Sequence, residues 1–184
     1  MNFRNTRARL TVAAIGATVA GTLAFGAAPA SAAASNGYVS GSGYTYDDWN
    51  DEGTVSTASH TKSNVSCLWQ KILWAEGATE SDGSTYDDAD VDGVFGSNTK
   101  YTTKKLQSRW GLTADGIVGK KTFTKAGSKL TNSRYVNYDS NRVYILTYKG
   151  SKHSFPVYRG QTGKWSFYES NKLRAAGYDY RSCA

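Results

Sequence analysis

An acidic run, Asp88-Ala89-Asp90-Val91-Asp92-Gly93, has the spacing of the first half of a calcium-binding loop. In such a loop carboxylates at positions 1, 3 and 5 precede a glycine, and a glutamate at position 12 supplies two further oxygens. Position 12 is Thr99 here, so the ligand set is incomplete. We therefore interpret the run as a solvated acidic loop and predict no metal site, with weak calcium binding as the alternative.

Residues suited to hydrolysis are present but do not form recognisable patterns. The two histidines, His60 and His153, belong to no zinc-site spacing such as HxxxD, HxH or HExxH, and Gly-x-Ser-x-Gly is absent. A glycosidase would need two carboxylates, one with a raised pKa. Glu76, Glu80 and Glu169 are present, but none stands in an apolar run. We therefore predict no catalytic residues, no cofactor and no enzymatic activity, with hydrolysis as the minor alternative.

The N-terminus has the features of a secretory signal peptide. Three arginines lie within the first nine residues, an uncharged stretch runs from Leu10 to Pro29, and Ala30-Ser31-Ala32 follows as a cleavage signal. A membrane anchor is the alternative, because the uncharged stretch is long enough to span a bilayer. The pattern predicts a signal peptide over residues 1–32 and a secreted mature chain that starts near Ala33.

The two cysteines, Cys67 and Cys183, both lie in the exported part of the chain. Oxidation is expected there, and two cysteines permit a single intramolecular pairing. A disulfide would stabilise the fold by up to about 4–5 kcal/mol in the chain-entropy model, because it closes a long loop. A catalytic thiol or a metal ligand is the alternative, although no motif surrounds Cys183.

Three amphipathic segments predict short helices at about residues 65–75, 98–110 and 120–130. Residues 33–64 are instead rich in Ser, Gly, Thr and Asp, and they are predicted to form a flexible linker. The predicted core contacts of the helices recur at steps of three and four residues: Val65, Leu68, Trp69, Ile72 and Leu73, then Tyr101, Leu106 and Trp110, then Phe123, Ala126 and Leu130.

An internal repeat precedes the second and third helices. Asp92-Gly93-Val94-Phe95-Gly96 recurs as Asp115-Gly116-Ile117-Val118-Gly119, with a period of 23 residues. A threonine stands three residues after each copy, at Thr99 and Thr122. Asp-Gly favours a tight turn because glycine tolerates positive φ, and two apolar residues are then expected to enter the core.

The ordered series of motifs from Val65 to Leu130 resembles the peptidoglycan-binding domain family that is appended to many cell-wall hydrolases. Besides the two repeats, the motifs are Val65-x-x-Leu68 with Ile72, Leu106-Gln107 with Gly111-Leu112, and Phe123. The resemblance implies a three-helix bundle over residues 65–130 that binds the cell wall. The sequence departs from the family at Trp69, where glutamine is common, at Thr102 and Thr103, and in the length of the acidic loop.

Residues 131–184 differ in composition from the helical segment, because Tyr-rich stretches alternate there with turn residues. The alternation predicts an antiparallel β meander with strands at about residues 135–138, 142–149, 153–159 and 164–169. The expected fold is therefore α+β, with a helical bundle, a small meander sharing its core, and one disulfide. This part is also basic, with nine Lys and Arg against three acidic residues, and it can attract a polyanion.

Three functional hypotheses follow from the resemblance. The first is a secreted, monomeric, non-catalytic protein that binds peptidoglycan and, through its basic half, anionic wall polymers, but neither nucleic acid nor, after signal cleavage, a membrane. The second is a secreted protein-interaction module, either an inhibitor or an accessory factor, and the third is a small wall hydrolase. The candidate ligand contacts surround the two turns and the second helix: Asp92, Gly93, Phe95, Gln107, Trp110, Asp115 and Gly116.

Overall fold

The computed structural model of the protein describes residues 36–138 and 141–183. Three α-helices precede a five-stranded antiparallel sheet, which confirms the predicted α+β class. The predicted signal peptide lies outside the described residues. Within the described residues, no helix is long and apolar enough to cross a bilayer. The bounds are α1 Asn64–Glu76, α2 Ser97–Arg109, α3 Lys120–Gly127, β1 Leu130–Tyr138, β2 Asn141–Lys149, β3 Ser154–Arg159, β4 Trp165–Glu169 and β5 Lys172–Ala175.

The first helix, α1, is enclosed by the rest of the molecule, and all of its residues except Trp74 are buried. Its N-terminus is capped by Ser63, whose side chain accepts a hydrogen bond from the Ser66 N–H at 3.0 Å. Gly77 ends the helix in the left-handed region, with a φ of 55°. All five predicted core contacts of this helix are buried.

The second helix, α2, turns a different face to the core than the sequence predicts. Tyr101, an expected core contact, is 38% exposed, whereas Thr102 and Thr103 are fully buried beside Leu106. Thr103 accepts a hydrogen bond from the Trp69 indole N–H at 2.8 Å, so the position requires a polar side chain. The prediction for Tyr101 was wrong because the polar partner of a buried tryptophan, rather than an aromatic ring, occupies this side of the helix.

The sheet is a meander in which the five strands follow one another in chain order. The inner face of β2 to β4 is buried and apolar, with Leu146, Tyr148, Phe155, Val157, Trp165 and Phe167. The sequence pattern predicts no strand after residue 169, but Lys172–Ala175 pairs with β4 as an edge strand. Its alternating charges conceal it, because charged side chains are typical of exposed sheet edges.

Residues 36–64 do not form the flexible linker that their composition predicts. Val39 pairs with the sheet, its N–H donating to Ala176 O at 2.8 Å and its carbonyl accepting from Trp165 N at 2.9 Å. Trp49 is fully buried and contacts Trp165 edge to face, with ring centroids 5.6 Å apart. Aliphatic residues are few in this segment, but a buried tryptophan removes a large apolar surface from water, so the prediction was wrong.

Buried polar contacts join the helices to the sheet. The carboxylate of Glu76 accepts hydrogen bonds from the Tyr148 hydroxyl at 3.0 Å and lies 2.9 Å from Lys129 Nζ. Lys71 Nζ lies 2.8 Å from the Glu169 carboxylate. Together with a single cluster of buried apolar side chains from both halves, these contacts make the bundle and the meander share one core.

The predicted disulfide between Cys67 and Cys183 is formed. It links the first turn of α1 to the C-terminal tail, with the two Cα atoms 6.5 Å apart. The two cysteines are 116 positions apart, so the bond closes a loop that contains most of α1, both later helices and all five strands.

Candidate functional site

The two Asp-Gly repeats form turns with the same local geometry. Gly93 and Gly116 have φ values of 72° and 73°, in the region that disfavours other residues. The carboxylate of each preceding aspartate accepts a hydrogen bond from the backbone N–H two residues later, at 2.8 Å in both turns. The sequence therefore folds locally into two matching Asx-type turns, as predicted.

Each turn is held by a buried glutamine from the preceding helix. In the first turn, Gln70 Oε1 accepts from Gly93 N at 2.7 Å, and its Nε2 donates to Asp92 Oδ1 at 2.8 Å. In the second, Gln107 Oε1 accepts from Gly116 N at 2.8 Å, and its Nε2 donates to the Asp115 carboxylate at 2.9 Å. We call these two arrangements the first and the second glutamine clamp.

A threonine completes each clamp. Thr99 Oγ1 lies 3.3 Å from Gln70 Nε2, and Thr122 Oγ1 lies 3.1 Å from Gln107 Nε2. Both threonines are buried in the first turn of the helix that follows the repeat. The threonine that accompanies each copy in the sequence is thus a hydrogen-bond partner of the clamp.

The sequence prediction missed the role of Gln70. Trp69-Gln70 corresponds in space to Leu106-Gln107, because each dipeptide places one apolar side chain in the core and one amide on the turn. The distance along the chain hides the match: 22 residues separate Gln70 from its aspartate, and 8 separate Gln107 from Asp115. The apparent departure from the family at Trp69 is therefore a change of one side chain and leaves the clamp intact.

The apolar pair in each repeat contributes one core residue, not two. Phe95 and Val118 are fully buried, whereas Val94 is half-buried and Ile117 is 42% exposed. The expectation that both residues enter the core is corrected, because extended backbone directs adjacent side chains to opposite sides.

A comparison with protein families agrees with this geometry. Residues 70–125 match the family model described as "Putative peptidoglycan binding domain". The match confirms the predicted resemblance over this segment. The matched residues begin at Gln70 and contain both clamps. Neither the curated proteins nor the solved structures include a significant match.

Within the matched segment, the predicted ligand contacts differ in their access to solvent. Gly93, Phe95, Gln107 and Gly116 are buried, and the groups of Gln107 are used by the second clamp. Asp92 and Asp115 are exposed. Trp110 is half-buried, with its ring edge to face against Trp69 at 6.2 Å. Among the seven, these three side chains reach the surface.

The acidic loop uses its carboxylates within the protein. Asp88 pairs with Lys71 at 3.5 Å, Asp90 accepts from the Asp87 N–H at 2.8 Å, and Asp92 belongs to the first clamp. Across residues 36–138 and 141–183, no three or more His, Cys, Asp or Glu side chains are grouped as metal ligands.

The three carboxylates considered for hydrolysis also have partners. Burial raises the pKa of Glu76, but hydrogen bonds from Lys129, Ser151 and Tyr148 outweigh burial, so its pKa lies below the ordinary value. Glu169 pairs with Lys71, and Glu80 accepts hydrogen bonds from Ser84 and Asn98. All three carboxylates are therefore engaged by partners within the fold.

One carboxyl group outside this set has a strongly raised pKa. Burial raises the pKa of Glu52 to about 8, although the Tyr178 hydroxyl and the Ser40 N–H both donate to it, at 2.6 and 3.0 Å. Glu52 is only 2% exposed. Because both of its oxygens have partners inside the protein, we assign it a structural role.

Proposed function

We propose that the protein is secreted and binds peptidoglycan without catalysing its cleavage. The observation that carries the proposal is the pair of glutamine clamps inside residues 70–125, the segment that matches the peptidoglycan-binding family. The clamps fix two turns whose outer atoms lie at the surface. A binding module needs this kind of rigid support for its contact residues.

The proposed contacts are the solvent-accessible groups at the turns. Asp92, Asp115 and the half-buried Trp110 are retained from the predicted set, and Ile117 is added because it is 42% exposed. Phe95 and Gln107, which are buried, support binding indirectly because they hold the turns in their conformation. A polar rim around an aromatic and an aliphatic side chain suits both the sugar rings and the stem peptides of peptidoglycan.

Two further features support the non-catalytic and secreted parts of the proposal. The carboxylates of Glu76, Glu80 and Glu169 are used in ion pairs and hydrogen bonds within the fold. A disulfide between Cys67 and Cys183 is typical of an oxidising compartment, in agreement with the predicted signal peptide.

The test is co-sedimentation of the mature chain, from Ala33 onward, with insoluble peptidoglycan stripped of teichoic acid, across a salt series. We expect binding that persists at high salt, because shape and hydrogen bonding are screened less than surface charge. Ile117→Ser should weaken binding by roughly threefold to tenfold through lost apolar contact. Leu173→Ser, which alters an aliphatic side chain that is 54% exposed on β5, is the matched control.

Other outcomes would favour the other hypotheses. Binding that disappears with salt would indicate charge attraction by the basic half alone. If the protein stays in the supernatant at every salt concentration, the protein-interaction module takes precedence. The exposed apolar side chains on the outer face of the sheet, Val136, Tyr168 and Leu173, would then be the first surface to probe. Clearing of a turbid wall suspension would contradict the non-catalytic assignment.

A further inference from the structure

Three adjoining pockets lie between residues 36–51 and the sheet, and none of their lining residues belongs to the two clamps. A pocket of about 640 Å³ shares Gly41, Ser42 and Thr162 with a second one of about 560 Å³. The second shares Gly43 and Tyr144 with a third of about 350 Å³. Each is in the size range of small-molecule sites, and their shared walls make one groove long enough for more than one sugar ring.

The floor of the groove is fixed by buried contacts. Arg159 Nη1 lies 2.7 Å from the Asp48 carboxylate, which also accepts from the Trp165 indole N–H at 3.0 Å. Arg159 Nη2 donates to Gly43 O at 2.9 Å, and Gly41 N donates to Gly163 O at 3.1 Å. These contacts hold residues 41–43 against the turn that joins β3 to β4, so the groove is preformed.

Arg142 supplies a positive charge at the second pocket. Its guanidinium lies over the Tyr135 ring, 4.7 Å from the centroid, and the side chain is exposed. No carboxylate pairs with it among the described ion pairs, whereas Arg159 below it is neutralised by Asp48. A guanidinium in this position can make paired hydrogen bonds to a carboxylate.

Aromatic and amide groups complete the lining. Tyr44, at the third pocket, is 84% exposed, and Tyr144 lines both the second and the third pockets. Asn137 and Gln161 offer amides at the second pocket. Exposed tyrosine faces stack on sugar rings, and amides and hydroxyls exchange hydrogen bonds with sugar hydroxyls and acetamido groups.

The far end of the groove is acidic, which bears on the class of ligand. Asp47 and Asp51 line the first pocket, together with Lys164. A polyphosphate chain lying along the groove would meet these carboxylates and be repelled. A saccharide with one carboxylate could place that group at Arg142 and its uncharged rings elsewhere.

We propose that this groove is a second binding site, which takes a carboxylate-bearing amino sugar of the muramic acid type. The sugar ring stacks on Tyr44, and its carboxylate pairs with Arg142. The choice of ligand rests on the proposed function, whereas the groove and its chemistry do not depend on the clamps.

The test uses the mature chain and three soluble probes in calorimetric titrations: the disaccharide N-acetylglucosaminyl-N-acetylmuramic acid, neutral di-N-acetylchitobiose and glycerol phosphate. We expect the acidic disaccharide to bind about tenfold more tightly than chitobiose. Arg142→Gln should remove that difference and leave the affinity for chitobiose unchanged. Tyr44→Ala should weaken both sugars by about threefold to tenfold.

Two matched variants control for general surface effects. Arg134→Gln alters an arginine that lies on the other face of the sheet, next to Tyr158, and Tyr138→Ala alters a tyrosine that is 72% exposed and lines none of the three pockets. Both should bind the probes as the unaltered chain does. All four variants change exposed side chains, and thermal unfolding should show unchanged transition temperatures.

Absence of binding by the acidic disaccharide would overturn the proposal, and so would equal losses of affinity in the control variants. The proposal would also fail if glycerol phosphate bound as tightly as the acidic disaccharide and its binding were insensitive to Tyr44→Ala. The last would indicate a simple anion site. Failure here is distinguishable from failure of the proposed function, because sedimentation with insoluble peptidoglycan and its Ile117→Ser variant report on the clamp surface.

Discussion

The two glutamine clamps have the same hydrogen bonds but different surroundings. At the first clamp, a Cβ added to Gly93 would lie 2.6 Å from Cys67 Sγ and 2.8 Å from Cys183 Sγ, so the turn packs directly against the disulfide. Arg181 of the C-terminal tail also donates to Asp92 O at 3.1 Å. At the second clamp, a Cβ added to Gly116 would lie 2.8 Å from Lys100 Cγ, in a flexible side chain, and 3.0 Å from the backbone oxygen of Lys100.

This difference indicates that one repeated motif has been put to two uses. The first clamp holds the C-terminal tail on the bundle, and the second keeps its outer surface, with Asp115 and Ile117, open to solvent. We therefore expect changes at the first clamp to act mainly on stability, and surface changes at the second clamp to act mainly on binding.

Removal of the disulfide should have the largest effect on stability. Cys67→Ala with Cys183→Ala should lower the free energy of unfolding by about 4 kcal/mol, because the unfolded chain regains the freedom of a loop of more than 100 residues. Urea unfolding measures the loss. The comparison of the clamps predicts that amide exchange accelerates first around Gly93, and equal acceleration at Gly116 would contradict it.

Alanine at the two turn glycines should separate the clamps directly. Gly116→Ala should cost about 1–2 kcal/mol, the usual penalty of a side chain at positive φ. Gly93→Ala should cost about 3 kcal/mol, because its Cβ also meets two sulfur atoms that the disulfide fixes in place. Unfolding in urea gives both values.

A double-mutant cycle sharpens this result. In the background without the disulfide, the cost of Gly93→Ala should fall towards that of Gly116→Ala, because the sulfur atoms are gone. An unchanged cost would show that the disulfide does not distinguish the two turns.

Removal of the clamping amide should have nearly the same effect at both turns. Gln70→Leu and Gln107→Leu each leave a buried glycine N–H without its acceptor, which costs about 2–3 kcal/mol. Gln161→Leu, at an exposed glutamine, is the control and should change stability by less than about 0.5 kcal/mol. A loss confined to one clamp would show that the two are not equivalent in energy.

The pH dependence of stability should reveal Glu52, three residues before Val55, which forms an isolated β-bridge to Val118 in the second repeat. Its pKa is raised to about 8 in the folded protein, so the folded state retains a proton that the unfolded state releases above its ordinary pKa. Stability should therefore fall as pH rises, by about 2 kcal/mol between pH 6 and pH 8.

Glu52→Gln should remove most of this slope, because the amide stays uncharged at every pH. Glu76, whose pKa is lowered, contributes stability that is lost only on acidification below its ordinary range, so it does not act in this window. Unfolding curves of both proteins at pH 6, 7 and 8 give the comparison. Parallel slopes would contradict the assignment of a buried, protonated Glu52.

The helical half of the fold could be predicted because its signals are local. The apolar spacing in α1, the Asp-Gly turns and the glycine at the end of α1 each act within a few residues. The ligand contacts were harder to predict from the sequence, since a motif does not show which of its side chains point inward. Phe95 and Gln107 belong to the family pattern, but both are buried, so their role is to hold the turns in place.

Residues 36–64 and β5 were misjudged for the opposite reason. Their composition is polar, and their structure comes from partners that are distant in sequence, such as Ala176 and Trp165 for Val39. The groove beside residues 36–51 therefore has no counterpart in any local pattern.

The sequence by itself determined the three helices, the two turns and the pairing of the cysteines. Backbone sterics, side-chain periodicity and the presence of only two cysteines suffice for these features. Only the tertiary structure decided which turn lies under the disulfide and which stays open, and that a polar segment is bound to the sheet. These outcomes depend on the summed burial of side chains far apart in the chain, a quantity that no local pattern encodes.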